Sequence, residues 1–281
     1  MRTPGSTLSF RAAAILSALL AAAAAAGLAL VLLRHGDREM LGSLTANPWW
    51  FDYQEPGAAT SLAALWRLAA AAAAAAVGIL AATRAFALFN RSASPLLPFL
   101  MLFFFSLSLE GLRAGMAILY AADGSIGAGI FITRVMYWGR FVGLLALLAS
   151  GLYCVDMKYR RFGVLAGALF LVSFAMAAYI PIDRTVFLAQ MSWKLGDEQG
   201  VWFVNLTIGL LVLLTSAGGA ITRRDRRFLW LAVGMALLLT SREILFFATS
   251  PILLAGGLAC LAGGSVVCLR VLAVVYRKAG E

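Results

Sequence analysis

Apolar runs close to twenty residues long recur along almost the whole chain. An α-helix crosses the roughly 30 Å hydrocarbon core of a bilayer in about 20 residues. Lipid offers the backbone no hydrogen-bond partner, so an uninterrupted run of this kind must satisfy its own amides, which only a helix does within one segment. This feature alone implies an all-α integral membrane protein, a single polytopic transmembrane domain over residues 1–281. Composition agrees. Only 13% of the residues are charged, about half the share of a soluble domain, and mean hydropathy is +0.90.

The runs lay out as a bundle of about eight transmembrane helices. The first extends from about Ala12 to Leu33. It exceeds the roughly 7–15 residues of a signal-peptide core and is expected to be retained as a span. The loop Arg34–Thr60 that follows carries Trp49, Trp50, Phe51 and Tyr53, rings that favour the headgroup level. The second span is expected at about Ser61–Ala82, and the third includes Ser106–Tyr120. The fourth covers about Ile130–Tyr153, and the fifth about Phe162–Ile180, stopped by Pro181. IDRTVFLAQMSWKLGDEQG reads as a polar loop leading to a sixth span at about Val201–Ile221. After TRRDRR a seventh span reaches about Ala248, and an eighth runs from the turn at Ser250-Pro251 to just before YRK. The small-residue stretches SAGGA and GGLACLAGGS suit close helix packing.

Charge distribution orients the bundle. The N-terminus, the links after every second span and the C-terminus hold thirteen Lys and Arg, whereas the opposite loops hold Arg34, Arg38, Arg184 and Lys194. The positive-inside rule then puts both termini in the cytoplasm, an N-in/C-in arrangement in the plasma (cytoplasmic) membrane. The net charge of +10 is thus topological, and nucleic acid is not an expected partner; the lipid bilayer is. Cys154, Cys260 and Cys268 fall in or beside spans without a CxxC, and His35 is the one histidine. Neither a multi-histidine metal site nor a bis-histidine haem can be built from this set, so no metal and no cofactor is expected.

Within this apolar chain the informative residues are the charges inside spans, each costing about 2.5–3.5 kcal/mol on insertion scales unless paired or wetted. The stretch Ser106–Tyr120 organises the rest. Glu110 and Arg113 lie three residues apart on one helix face, within a stripe Ser106, Glu110, Arg113, Ala117, Tyr120. TRVMYWGR supplies Arg134, Tyr137 and Arg140, and TSREILFF supplies Thr240, Arg242 and Glu243. Arg67 lies near the start of the second span, and Arg270 is close enough to a span end to snorkel. Arg113, Arg140 and Arg242 are expected to converge with Glu110 and Glu243 inside the bundle, since three helices carry charges at matching depth. Arg67, Arg113, Arg134 and Arg242 in the outer half and Arg140 near the midplane face two glutamates at similar depth, a surplus that pairing cannot remove.

A surplus of guanidinium groups points to an anion, because their planar fork matches carboxylate and phosphate geometry. The expected ligand-binding set is Glu110, Arg113, Arg134, Tyr137, Arg140, Arg242 and Glu243, with Tyr120, Thr133, Thr240 and Asn205 as further neutral donors or acceptors. No P-loop, GxSxG, HExxH or kinase signature is present, so no motif supports an enzyme. The expected function is a receptor- or sensor-like binding module for an anionic small molecule or lipid headgroup, acting through a signalling partner. The alternatives are a secondary transporter of an organic anion, proton-coupled through Glu110 or Glu243, and a structural or assembly subunit of a membrane complex. In general architecture, a compact bundle with short links is similar to bacterial multi-span sensor modules and to small transporters.

Overall fold

Proline, serine and glycine set where the helices begin and end. The computed structural model describes residues 61–277 except 93, 114, 117–118, 120–125, 156–161, 189–191 and 249. The expected first span, the aromatic loop after it and Tyr120 therefore lie outside the described residues. Helix α1 covers Ser61–Ser92, ten residues beyond the expected Ala82. The link TRAFALFN contains no Gly or Pro, so nothing interrupts the helix before Pro95. Helix α2 covers Leu96–Leu109 and then tightens into a 3₁₀ turn, Glu110–Leu112. Helices α3 (Ile126–Cys154) and α4 (Phe162–Tyr179) follow, then α5 (Glu198–Thr222), α6 (Arg227–Phe247) and α7 (Pro251–Arg277). Asp197 caps α5 by accepting from the Gly200 amide at 2.9 Å. Pro251 opens α7, where its missing N–H costs nothing.

Two expectations need correction. Ser106–Tyr120 is not one continuous α-helix. The Ser106 and Ser108 hydroxyls bond back to the Phe103 and Phe105 carbonyls, and Gly111 weakens the next turn, so the chain leaves α geometry at Glu110. The segment after Pro181, expected to be a loop, is an antiparallel hairpin of β1 (Ile182–Leu188) and β2 (Ser192–Leu195). Asp183 faces Lys194 and Phe187 faces Trp193, with a bulge between Asp183 and Phe187. That bulge breaks the alternation that would have announced the strands.

Among the described residues, six helices are long and apolar enough to cross a bilayer: Trp66–Asn90, Ile126–Cys154, Phe162–Tyr179, Glu198–Thr222, Arg227–Phe247 and Pro251–Tyr276. Leu96–Leu112 is apolar but shorter. The chain is a multi-pass, almost wholly helical membrane protein. Successive helices alternate in direction. Arg67, early in α1, bonds the Ala248 carbonyl at the end of α6, and β2 between α4 and α5 bonds Thr133 early in α3. At the opposite end, Arg223 closing α5 reaches the last carbonyls of α3. The molecule thus has a hairpin end and a basic end.

Neighbouring contacts close a circuit α1–α2–α3–α5–α6–α7 and back to α1, with α4 added on the outside of α3. Of these six long helices α3 is the most enclosed, 78% of its most apolar stretch being buried against 11% for α4 and for α5. The main core joins Phe99, Phe103 and Leu147 to Met235, Leu261 and Leu272. A smaller core at the hairpin end joins Met136, Tyr137, Phe141, Ala177, Leu195 and Phe246. Glu110 and Arg113 of the 3₁₀ turn, Arg140 of α3, and Arg242 and Glu243 near the end of α6 come together on the hairpin side of this bundle.

Candidate functional site

Close helix approach brings the charges together. Cβ atoms added at Gly139 and Gly143 of α3 would meet the side chains of Leu109, at 2.8 Å, and of Ser106. Two glycines at four-residue spacing therefore let α2 lie against α3, with Arg140 between them. The 3₁₀ turn contributes the second element. With about three residues per turn it eclipses positions i and i+3, which stacks Arg113 beside Glu110.

The result is a buried chain of alternating charge. Arg113 Nη2 is 3.4 Å from Glu110 Oε2, and Arg140 Nη1 is 3.4 Å from Glu110 Oε1. Arg140 Nη2 donates to both carboxylate oxygens of Glu243, at 2.9 and 2.8 Å. Arg242 Nη1 lies 3.8 Å from Glu243 Oε1, within ion-pair range but beyond a hydrogen bond. Arg113 also reaches the Leu245 carbonyl at 3.4 Å. All of these side chains are nearly inaccessible except that of Glu243, which is 42% exposed.

Phe246 forms the floor. The guanidinium carbons of Arg140 and Arg113 stand 3.8 and 4.3 Å from its ring centroid, and Phe247 adds a second face 5.4 Å from Arg140. Stacking on an aromatic face is attractive for a desolvated guanidinium. Tyr137 meets the edge of the same ring at 5.6 Å.

Compared with family models, curated proteins and solved structures, the chain matches none.

Its site is therefore read from its own chemistry. Of the seven residues expected in it, the structure brings together Glu110, Arg113, Arg140, Arg242 and Glu243, with Tyr137 at their edge through Phe246. Arg134 stands apart. It is exposed and lines an open recess on α3 with Ile130 and Phe131. Six residues at about 100° each put it some 240° around the helix from Arg140, so depth matched and azimuth did not. Thr133 is committed to the Trp193 amide at 3.2 Å. Thr240 is exposed, and Asn205 belongs to α5 with a buried Oδ1 that has no hydrogen bond. Arg67, expected in the same layer, is seated on the Ala248 carbonyl at 3.4 Å; Arg270 is exposed toward the basic end. The residues not anticipated are Phe246 and Phe247. Stepping four residues along the helix face from Arg242 reaches Phe246, a signal that an apolar run conceals.

Hydrogen-bond accounting separates the three arginines. Arg140 uses both terminal nitrogens and Arg113 uses both of its own, each leaving only Nε without a bond. Arg242 is 2% exposed, yet Nε, Nη1 and Nη2 all lack a hydrogen-bond partner. Among the described residues, three ion-paired guanidinium groups face two carboxylates. Among the described residues no group of three or more His, Cys, Asp or Glu gathers in a way that could hold a metal ion.

Proposed function

We propose that this protein is a receptor- or sensor-like binding module of the cytoplasmic membrane that accepts an anionic group of a small molecule or lipid headgroup at its hairpin end. The observation that carries this reading is Arg242, a buried cation that makes no hydrogen bond in a cluster with one guanidinium more than carboxylate. Leaving such donors without partners is costly in a low-dielectric interior. An anion supplies both the charge and the acceptors. In this reading the apolar sequence Ala12–Leu33 supplies an eighth span beside the seven described apolar helices. The basic end with both termini then faces the cytoplasm, following the charge bias of the links. The site opens outward at Glu243, and occupancy is passed to a partner protein.

The test uses the full chain in nanodiscs of neutral lipid, with equilibrium dialysis against labelled organic anions. Saturable binding that Arg242→Gln abolishes is the expected result; absence of saturable binding for every anion contradicts it. Uptake into proteoliposomes addresses transport. Accumulation driven by a pH gradient and lost in Glu110→Gln or Glu243→Gln would replace the receptor reading with a secondary transporter.

A second reading has its own observation. Arg140 is held by both glutamates and by Phe246, which would lock α2, α3 and α6 as a structural or assembly subunit requires. It predicts copurification of a partner without anion binding.

A further inference from the structure

The charge inventory narrows the ligand. Among the described residues, the ion-paired cluster of Arg113, Arg140 and Arg242 with Glu110 and Glu243 has one guanidinium more than it has carboxylates, a single positive charge in excess. That charge is localised. Arg140 and Arg113 already have carboxylates and an aromatic face, whereas the whole fork of Arg242 is without hydrogen bonds. Among the described residues, the carboxylate within 4 Å of it is Glu243, which gives its two oxygens to Arg140 at 2.8 and 2.9 Å and stays 3.8 Å away. Glu243 is also the cluster's one substantially exposed side chain.

We infer that the site selects a monovalent carboxylate, bound bidentately by the Arg242 fork, and that Glu243 sets this valence by rejecting a second negative charge. The inference rests on the anion-binding reading and gives it a ligand class. Two parallel N–H donors in a plane fit a carboxylate better than a spherical halide. One added charge brings the cluster to neutrality; two would leave a net negative charge beside Glu243, which repels it. Neighbouring Phe247, 49% exposed, gives the route past Glu243 an apolar wall suited to the hydrocarbon part of an organic acid. The same head chemistry occurs in small free acids and in fatty acids drawn from the bilayer.

The experiment measures binding of labelled benzoate, decanoate and sulfate to the full chain in neutral-lipid nanodiscs, with protein-free nanodiscs correcting for partition. Wild type, Arg242→Lys and Glu243→Gln are compared. Wild type should bind the carboxylates at least about tenfold more tightly than sulfate. Arg242→Lys keeps the charge but loses the fork, and should weaken carboxylate binding by about tenfold, in the range of one charge-assisted hydrogen bond. Glu243→Gln leaves two uncompensated charges and should tighten sulfate more than benzoate, closing most of the gap. Decanoate binding far more tightly than benzoate assigns the head to a membrane-derived acid, and equal affinity assigns it to a free one. Sulfate bound as tightly as benzoate by wild type, or an affinity for benzoate unchanged in Arg242→Lys, overturns the monocarboxylate assignment and leaves an anion-binding module. Binding of no anion removes the module itself.

Discussion

Arginines are held at both ends of this bundle, half-buried at the basic end and buried at the hairpin end, and are satisfied in different ways. At the basic end, Arg223 closes α5 and donates to the Tyr153 and Cys154 carbonyls, each at 2.9 Å, with Phe228 5.3 Å below its guanidinium. Those carbonyls end α3 and have no intrahelical donor, and the negative end of the helix dipole favours a cation there. Arg67 uses the end of α6 in the same manner. At the hairpin end, Arg140 is in the middle of a helix, where neighbouring carbonyls are already used. It therefore depends on carboxylates carried by other helices. Helix termini supply acceptors without adding charge, whereas carboxylates come in whole units. Three arginines with two glutamates leave a remainder, and Arg242 is that remainder.

The comparison breaks most visibly at Arg140. Arg140→Met leaves Glu110 buried with only the long contact to Arg113, and removing one member of a buried pair costs about 3–5 kcal/mol. Chemical denaturation in detergent, followed by tryptophan fluorescence, should show this loss. A change below about 1 kcal/mol would mean the pairs hold nothing together.

The next effect is steric. Gly143→Val should push α2 from α3, since even a Cβ there meets the Ser106 side chain, at a cost of about 1–3 kcal/mol. Gly127→Val is the control, because nothing lies within 4 Å of a Cβ at that position. Equal stability of the two variants would show that the glycine pair does not set the approach of Arg140 to Glu110.

Arg223→Gln should cost less, about 1–2 kcal/mol for two charge-assisted bonds to a partly exposed side chain. It should leave anion affinity unchanged. An altered affinity would show that the two ends are coupled rather than separate.

Much of this contrast was legible in the chain. The apolar runs mark the spans because lipid permits little else, and the matching depths of Glu110, Arg113, Arg140, Arg242 and Glu243 bring them to one level. Depth says nothing about azimuth, however, which is why Arg134 appeared to belong with them and faces outward instead. The hairpin was hidden by its bulge and by its polar ends. The 3₁₀ turn depends on serine hydroxyls bonding backwards, which composition does not reveal. Phe246 was hidden for another reason. An aromatic inside an apolar run reads as core, and only the two guanidinium groups against its ring give it a different part.

The central claim, that Arg242 is the cation in excess, is tested most directly by the thermal stability of Arg242→Met in nanodiscs with and without benzoate. Without ligand the variant should match or exceed wild type, since a buried charge that makes no hydrogen bond is replaced by an apolar side chain. Benzoate at about a hundred times its dissociation constant should stabilise wild type by about 2.7 kcal/mol and leave Arg242→Met unmoved. A variant that loses stability as Arg140→Met does, or that benzoate stabilises as much as wild type, would contradict the account.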